Sequence, residues 1–196
     1  VIDKNNADIV YASIQFGGLY KSINGGTSLT GITNPPGSGD WVAPLEQDPI
    51  AMNTLYQGRQ QVHKSSDGGA SWTAISAFAT PPVGSSRLQE ITVAPSDNNI
   101  IYAAFQRFIY RTVDGGVSWA DVSPSTGFSN VNYISIHPTN PNKILIALSG
   151  GSTRLLESTN GGSTWNNISA GLPNIGTQCA IYENGPSGNE GIYVAT

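Results

Sequence analysis

Charged residues are scarce in this chain of 196 residues. They make up 11% of it, with 13 acidic and 9 basic side chains and a formal net charge of −4. This balance offers neither a basic surface for nucleic acid nor a polybasic stretch for an anionic membrane. The longest apolar runs also fall far short of the roughly 20 residues that a membrane-spanning helix needs. We therefore predict no nucleic-acid partner and no membrane insertion for this segment.

Metal-binding and redox residues are equally sparse. Cys179 is the only cysteine, so no disulfide can form within the chain, and its apolar neighbours are typical of a small buried side chain. The two histidines, His63 and His137, lie far apart in the sequence and lack carboxylates at ligand spacing. We predict no metal site and no cofactor.

Glycine, in contrast, is abundant at 23 residues, and much of it belongs to a repeat. Four nine-residue segments share the pattern Ser/Thr-x-Asp/Asn-Gly-Gly-x-Ser/Thr-Trp, with leucine in place of tryptophan in the first copy. They occupy residues 21–29, 64–72, 111–119 and 157–165. The near-constant spacing indicates a repeat architecture.

A second register supports the same period. An aromatic or aliphatic residue stands in a strand-like apolar run of each unit, at Tyr11, Tyr56, Tyr102, Leu145 and Tyr193. In the third unit, turn residues separate four predicted strands at about 88–94, 100–105, 108–113 and 118–122. Units of about 40–50 residues with four strands each are typical of β-propeller blades. We predict an all-β propeller segment of four-stranded antiparallel blades, with the repeat turn between the third and fourth strands.

The repeated residues have a sufficient explanation in folding. Asp or Asn accepts hydrogen bonds from the backbone amides of its own turn, the glycines supply positive φ, and the tryptophan offers a large apolar surface for packing. We therefore predict structural roles for Asn24, Asp67, Trp72, Asp114, Trp119, Asn160 and Trp165.

The spacing also predicts how the chain divides into blades. All of residues 1–196 are assigned to one propeller. Its predicted parts are a partial blade at 1–32, blades at about 41–76, 88–122 and 131–169, and a partial blade at 177–196. Because a blade leaves apolar faces that its neighbours must cover, we expect this segment to belong to a larger propeller.

These repeats resemble the Asp-box (BNR) motif of sialidases, sortilin-type Vps10 ectodomains, xyloglucan-type glycoside hydrolases and a photosystem II assembly factor. The resemblance covers nearly the whole chain but leaves function open, because those proteins do unrelated things on one scaffold. The residues of the repeat are most similar to those of secreted bacterial proteins that are sortilin-like or glycoside-hydrolase-like. It implies an extracellular or cell-envelope location.

The resemblance also supplies a test for catalysis. Xyloglucan-type hydrolases carry a stretch Tyr-Ala-Arg-Thr-Asp-x-Gly-Gly-x-Tyr whose Asp is catalytic, and the matching stretch here runs from Tyr11 to Tyr20. Gln15 stands at the Asp position. An amide cannot serve as a general acid or base, and glycoside cleavage normally needs two carboxyl groups. The arginines also lack the Arg-Ile-Pro setting of sialidases.

Ligand contacts are expected from the loops on the face opposite the repeat turns. The candidates there are Gln15, Phe16, Trp41, Arg59, Arg87, Arg107 and Arg154. Trp41 is the one tryptophan outside an Asp box; it either stacks on a sugar ring or packs at the start of the next strand. The arginines form either a modest basic rim or an ordinary solvated surface.

The preferred hypothesis is a non-catalytic binding propeller of a secreted or cell-surface protein, with a protein or glycan ligand. The alternative is a fragment of a xyloglucanase-like glycoside hydrolase whose catalytic acids lie outside this segment. A structural spacer on a surface adhesin is a third possibility.

Overall fold

The computed structural model describes residues 1–78, 87–125, 128–184 and 190–196, and these residues are nearly all β. They form seventeen short strands and one turn of 3-10 helix at Gln15–Gly17. The strands are β1 Val10–Ile14, β2 Gly18–Ser22, β3 Thr30–Gly31, β4 Leu45–Gln47, β5 Leu55–Gly58, β6 Val62–Ser65, β7 Thr73–Ala74, β8 Glu90–Val93, β9 Ile101–Phe105, β10 Phe108–Thr112, β11 Ala120–Asp121, β12 Val131–Ile136, β13 Ile144–Leu148, β14 Leu155–Ser158, β15 Asn166–Asn167, β16 Cys179–Asn184 and β17 Glu190–Ala195.

The strands form five antiparallel sheets in chain order. Sheets 2, 3 and 4 have four strands each (β4–β7, β8–β11 and β12–β15). Sheet 1 contains β1–β3 and gains a bridge between Ile2 and Val10, and sheet 5 contains β16 and β17. The first strands of neighbouring sheets converge, because β4 contacts β8, β8 contacts β12 and β12 contacts β16. Successive four-stranded meanders that converge on their first strands are the arrangement predicted for propeller blades.

The hydrophobic core lies between consecutive sheets. In β9 the side chains of Tyr102 and Ala104 pack toward sheet 4, whereas Ile101, Ala103 and Phe105 pack toward sheet 2. Alternate residues of a strand point to opposite faces, so a strand that is covered on both faces must be apolar throughout. This explains why β9 and β13, the second strands of sheets 3 and 4, are apolar and buried at every position.

The tyrosine register of the sequence belongs to these second strands. In sheets 1 to 3 the tyrosine lies directly opposite a cation on the third strand, which stacks over its ring. The nitrogen or guanidinium carbon lies 5.3–5.7 Å from the ring centroid in the pairs Lys21–Tyr11, Lys64–Tyr56 and Arg111–Tyr102. Attraction between a cation and the face of an aromatic ring stabilises such cross-strand pairs.

The turns of each sheet divide between two edges. The Asp-box turns and the turns between first and second strands lie at one edge, called here the box edge. The turns between second and third strands, and the connections from one sheet to the next, lie at the other edge, called here the loop edge. Within the described residues no helix is long and apolar enough to span a membrane.

Candidate functional site

Each Asp box is closed by hydrogen bonds within its own turn. The carboxylate of Asp67 accepts from the backbone amide of Ser71 at 2.9 Å and from the hydroxyls of Ser71 and Ser65 at 2.5 and 2.7 Å. The Ser65 hydroxyl oxygen in turn accepts from the amide of Gly69 at 2.8 Å. These donors hold the pKa of Asp67 well below its usual range, the Ser71 hydroxyl being the largest cause. Its acceptor capacity is therefore occupied by the fold.

The other three boxes repeat this geometry. Asp114 accepts from the hydroxyl and amide of Ser118, which lower its pKa to about 2. In the other two boxes an asparagine replaces the aspartate. The side-chain oxygen of Asn24 or Asn160 accepts from a backbone amide of the turn, and the side-chain nitrogen donates to the hydroxyl of Ser28 or Thr164. The four boxes thus have the chemistry that a turn needs and no carboxylate left for a ligand.

The tryptophans of the boxes join each sheet to the one before it. Their indole nitrogens donate to backbone carbonyls of the preceding sheet at 2.8–2.9 Å, in the pairs Trp72–Thr33, Trp119–Ile75 and Trp165–Val122. The second box glycine approaches the same place: a Cβ on Gly116 would lie 2.8 Å from the Ile75 oxygen. These contacts between sheets support the structural role predicted for the box residues, which stays a prediction.

The loop edge carries an exposed aromatic pair. Phe16 lies in the turn between β1 and β2, Trp41 lies in the connection from sheet 1 to sheet 2, and they are 51% and 61% exposed. Their ring centroids are 5.4 Å apart and the rings are perpendicular. The backbone joins them as well, because the Phe16 amide donates to the Trp41 carbonyl at 3.4 Å. Most of the Trp41 side chain is thus exposed to solvent, and its role in ligand binding stays a prediction.

The pair rests on unusual backbone. Phe16 has φ 61° and ψ 19°, the left-handed region, which costs a residue with a side chain about 1–2 kcal/mol. Gly39 donates to the Phe16 carbonyl at 3.1 Å, and a Cβ at Gly39 would lie 2.7 Å from the Cβ of Ala43. Close backbone approach therefore keeps the two aromatic loops together.

Arg59 differs from the prediction of an arginine on the ligand surface. Its side chain is buried, with 4% exposure, and burial lowers its pKa. The guanidinium donates to the carbonyls of Gly17, at 2.8 Å, and Gly37, and to the side chain of Gln57 at 3.3 Å. It lies beneath the aromatic loops because its hydrogen bonds to the Gly17 and Gly37 carbonyls hold it there.

The remaining loop-edge candidates lie at different places. Gln15 is exposed beside Phe16, and Arg107 is exposed with its guanidinium 5.6 Å from the ring of Phe108. Arg154 is half-buried and donates to the carbonyls of Gly151, Ser169 and Leu172, so it is largely occupied with its own blade.

Arg87 is also half-buried and borders residues outside the described ranges. The structure therefore brings together Gln15, Phe16, Trp41 and Arg59. Arg87 precedes Leu88, whose amide donates to the Arg59 carbonyl at 2.7 Å, whereas Arg107 and Arg154 lie in turns of sheets 3 and 4.

Two carboxyl groups escaped the sequence analysis. Glu46 in β4 and Glu90 in β8 lie on the converging first strands. Burial raises the pKa of Glu46 from 4.5 to about 7, although Lys4 opposes it. Burial, and next the charge of Glu46, raises the pKa of Glu90 to about 8. In the sequence, each glutamate is only a charged residue within a short predicted strand. Nothing there indicates that the two strands lie next to each other.

Metal ligands remain dispersed. Among the described residues no group of three or more His, Cys, Asp or Glu side chains could hold a metal ion. Cys179 is a half-buried free thiol whose pKa is raised by burial.

A family model described as "Sortilin, neurotensin receptor 3," (Sortilin-Vps10) matches residues 17–189. The chain belongs to the Sortilin-Vps10 family. The match covers all four Asp boxes, in accord with the sortilin-type resemblance of the repeats.

Other similar proteins include a xyloglucanase and GH74 enzymes. A xyloglucanase of a Paenibacillus species is 25% identical to this Sortilin-Vps10 chain over 215 residues, which cover 86% of the chain and 20% of the enzyme. The crystal structure of an ancestral GH74 enzyme superposes with a TM-score of 0.73 at 23% identity, covering 92% of the chain and 25% of the enzyme. The GH74 enzyme of Niastella koreensis gives a TM-score of 0.64 at 26% identity, covering 84% of the chain and 28% of the enzyme.

These comparisons confirm the predicted all-β propeller fold and its kinship with both sortilin and GH74 xyloglucanases. The chain spans only about a fifth to just over a quarter of the length of these relatives.

Proposed function

We propose that this chain is a non-catalytic binding propeller whose ligand is a glycan. The observation that carries the proposal is the exposed, perpendicular Phe16–Trp41 pair on the loop edge. Adjacent exposed aromatics are uncommon on a protein surface without a binding role. Trp and Phe rings offer flat apolar faces, which suit the C–H faces of a sugar ring.

The placement of the pair supports a binding role. Its rings stand on two different connections that backbone hydrogen bonds join, so both are held before a ligand arrives. Preorganised groups bind with a smaller entropic cost than mobile ones. Gln15 and the exposed backbone beside it supply the hydrogen-bonding groups that a sugar needs.

The residue at position 15 supports a role without catalysis in this part of the protein. By resemblance to the xyloglucan-type stretch, Gln15 stands where a catalytic Asp is expected. Its amide does not exchange a proton near neutral pH, so it serves as a hydrogen-bond donor and acceptor only.

Titration with soluble xyloglucan tests the proposal. Wild-type protein is expected to bind xyloglucan, observed by isothermal titration calorimetry and by retardation in a gel that contains the polymer. Phe16→Ala combined with Trp41→Ala removes both ring faces, and we expect about a tenfold or greater loss of affinity. Met52→Ala is the matched control, because Met52 is 65% exposed but lies on the box edge.

Two results would contradict the proposal: no binding of xyloglucan or other β-glucans by the wild type, or unchanged binding by the double variant. Loss of affinity in Met52→Ala as well would point to a nonspecific apolar effect. If the ligand is a protein instead, xyloglucan gives no binding signal, and the double variant loses affinity for the protein partner.

A second function follows from the similar enzymes. The 25% identity to a xyloglucanase and the 26% identity to a GH74 enzyme favour a segment of a glycoside hydrolase whose catalytic acids lie elsewhere in the molecule. Release of reducing ends from xyloglucan by the intact protein would support this function. It would exclude a purely binding role for the whole protein, and would leave the aromatic pair as part of the substrate path.

We also propose that further blades of the same propeller cover sheet 5. Tyr193 is 60% exposed, whereas its counterparts Tyr56 and Tyr102 are completely buried against the next sheet. Ile181 on β16 is likewise 43% exposed. A mass of the source protein well above 20.6 kDa, with peptide mapping that adds Asp-box sequence, is the expected result.

An extracellular or cell-envelope location completes the proposal. Support comes from the low content of charged residues and from membership of the Sortilin-Vps10 family. Fractionation of the source cells, with the protein detected in the medium or the envelope fraction, is the test.

A further inference from the structure

We infer that Arg59 is a positioning residue that sets the geometry of the Phe16–Trp41 pair from beneath. The inference rests on the proposed function for its consequence in binding, but the positioning itself is a separate claim. Arg59 follows strand β5 of sheet 2, whereas both aromatic loops precede that sheet in the chain. The guanidinium therefore links two blades at the point where the candidate site is built.

The contacts of Arg59 reach both loops. Nη2 donates to the carbonyl oxygen of Gly17, the residue after Phe16, at 2.8 Å, and Nη1 donates to the carbonyl oxygen of Gly37, four residues before Trp41. Gln57 Nε2 donates to the same Gly17 oxygen at 2.9 Å. One planar group thus fixes the separation of the two loops, as a rigid fork of donors can.

The acceptors are neutral, which separates this arginine from an ordinary ion pair. Among the described residues Arg59 forms no ion pair, and its partners are carbonyl and amide oxygens. Burial of a cation costs free energy unless hydrogen bonds compensate it. An apolar side chain would fill the same space without that cost. The guanidinium is therefore explained by the two carbonyls that it must hold.

The turn that Arg59 holds is strained. Phe16 has the left-handed backbone, and a Cβ on Gly17, where φ is +78°, would lie 2.9 Å from Gln57 Nε2. Strained backbone persists only where the surroundings determine it. Without Arg59, Gln57 alone holds the Gly17 carbonyl, and we expect Phe16 to relax toward an ordinary conformation that moves its ring away from Trp41.

The test uses Arg59→Lys, with Arg111→Lys as the matched control. Lys keeps the charge but carries its three donors on one nitrogen, which cannot reproduce the planar fork that reaches both carbonyls. Arg111 is a half-buried arginine of β10 that was not among the expected ligand contacts, and sheets 1 and 2 carry Lys21 and Lys64 at its position. Protein labelled with 5-fluorotryptophan gives four ¹⁹F signals, one for each tryptophan of the chain, assigned by single Trp→Phe variants.

In Arg59→Lys the Trp41 signal is expected to shift or broaden while those of Trp72, Trp119 and Trp165 stay in place. Xyloglucan affinity is expected to fall about tenfold. Arg111→Lys should change neither the Trp41 signal nor the affinity. In Arg59→Ala, millimolar guanidinium, far below denaturing concentrations, should return the Trp41 signal toward its wild-type position.

An unchanged Trp41 signal in Arg59→Lys would overturn the inference, and so would movement of all four signals, which would indicate a general structural role. If the wild type binds no glycan but Arg59→Lys still shifts Trp41 alone, the proposed function fails while the positioning role stands. If the signal does not move but affinity falls, positioning fails and the glycan function survives.

Discussion

We predict that the half-buried carboxyl groups of Glu46 and Glu90, where the first strands converge, make the stability of the fold depend on pH. Thr92 donates to Glu90 at 3.3 Å, and the amide of Ile134 in the next sheet also donates to it, yet burial and the charge of Glu46 keep its pKa raised, at about 8. Because this pKa is raised on folding, the folded state holds the proton more tightly than the unfolded chain. Its contribution to stability is complete below about pH 4.5 and is lost as the pH rises to about 8.

The perturbation is Glu90→Gln, which keeps the acceptor for Ile134 and removes the charge. A difference of one unit between the folded and unfolded pKa corresponds to about 1.4 kcal/mol, so the window from 4.5 to about 8 sets a ceiling of about 5 kcal/mol. Water that relaxes around a carboxylate reduces this penalty. We therefore expect Glu90→Gln to equal the wild type in stability near pH 4 and to exceed it by about 2 kcal/mol near pH 9.

The assay is urea unfolding followed by tryptophan fluorescence at roughly pH 4, 6, 7.5 and 9. These pH values extend from below the unfolded pKa of Glu90 to above its folded pKa. Asp8→Asn serves as the control, because it removes one negative charge from an exposed side chain on the box edge. A difference between Glu90→Gln and the wild type that stays constant from pH 4 to 9 would refute the assignment of a buried, mutually repelling pair.

Three further predictions concern close contacts. Gly39→Ala should displace the aromatic pair and lower xyloglucan affinity in calorimetry, because its Cβ would lie 3.0 Å from the Phe16 carbonyl oxygen, whereas unchanged affinity would show that the loops can separate freely. Trp119→Phe loses the 2.8 Å bond to the Ile75 carbonyl and should lower the free energy of unfolding in urea by about 1–2 kcal/mol. Gly116→Ala, at φ +101° and with a Cβ 2.8 Å from the same oxygen, should lower the melting temperature by more than Trp119→Phe does.

The fold was accessible from the sequence because its signals are local and repeated. The four predicted strands of the third unit correspond to β8–β11, with the last one shorter than the predicted 118–122. Ser118 and Trp119 are the reason, since the first closes the box with Asp114 and the second donates to Ile75. Local propensity located the strands, and the competing turn chemistry determined where the last one begins.

The candidate site was only partly accessible, because its geometry depends on contacts between blades. Nothing in the sequence around Arg59 distinguishes it from Arg107, yet one is buried beneath carbonyls of the preceding sheet and the other is exposed. Glu46 and Glu90 likewise lie 44 residues apart and meet only because β4 and β8 converge. Which residues of different blades meet depends on how the sheets pack around the propeller axis. A repeat of about 45 residues carries no direct information on this packing.

The division of polar groups between the two edges explains how one repeat serves both receptors and enzymes. At the box edge the side chains of Asp67 and Asp114 bind the amides and hydroxyls of their own turns, so a change there is felt first by the fold. At the loop edge backbone carbonyls such as that of Gly17 secure the loops from below, and the residues above them, Gln15 and Phe16, point to solvent. Residues held by their backbone can be exchanged without loss of the scaffold. A catalytic Asp, a Gln or an aromatic ring is therefore compatible with the same turn, and we propose that the loop edge carries the function of this chain.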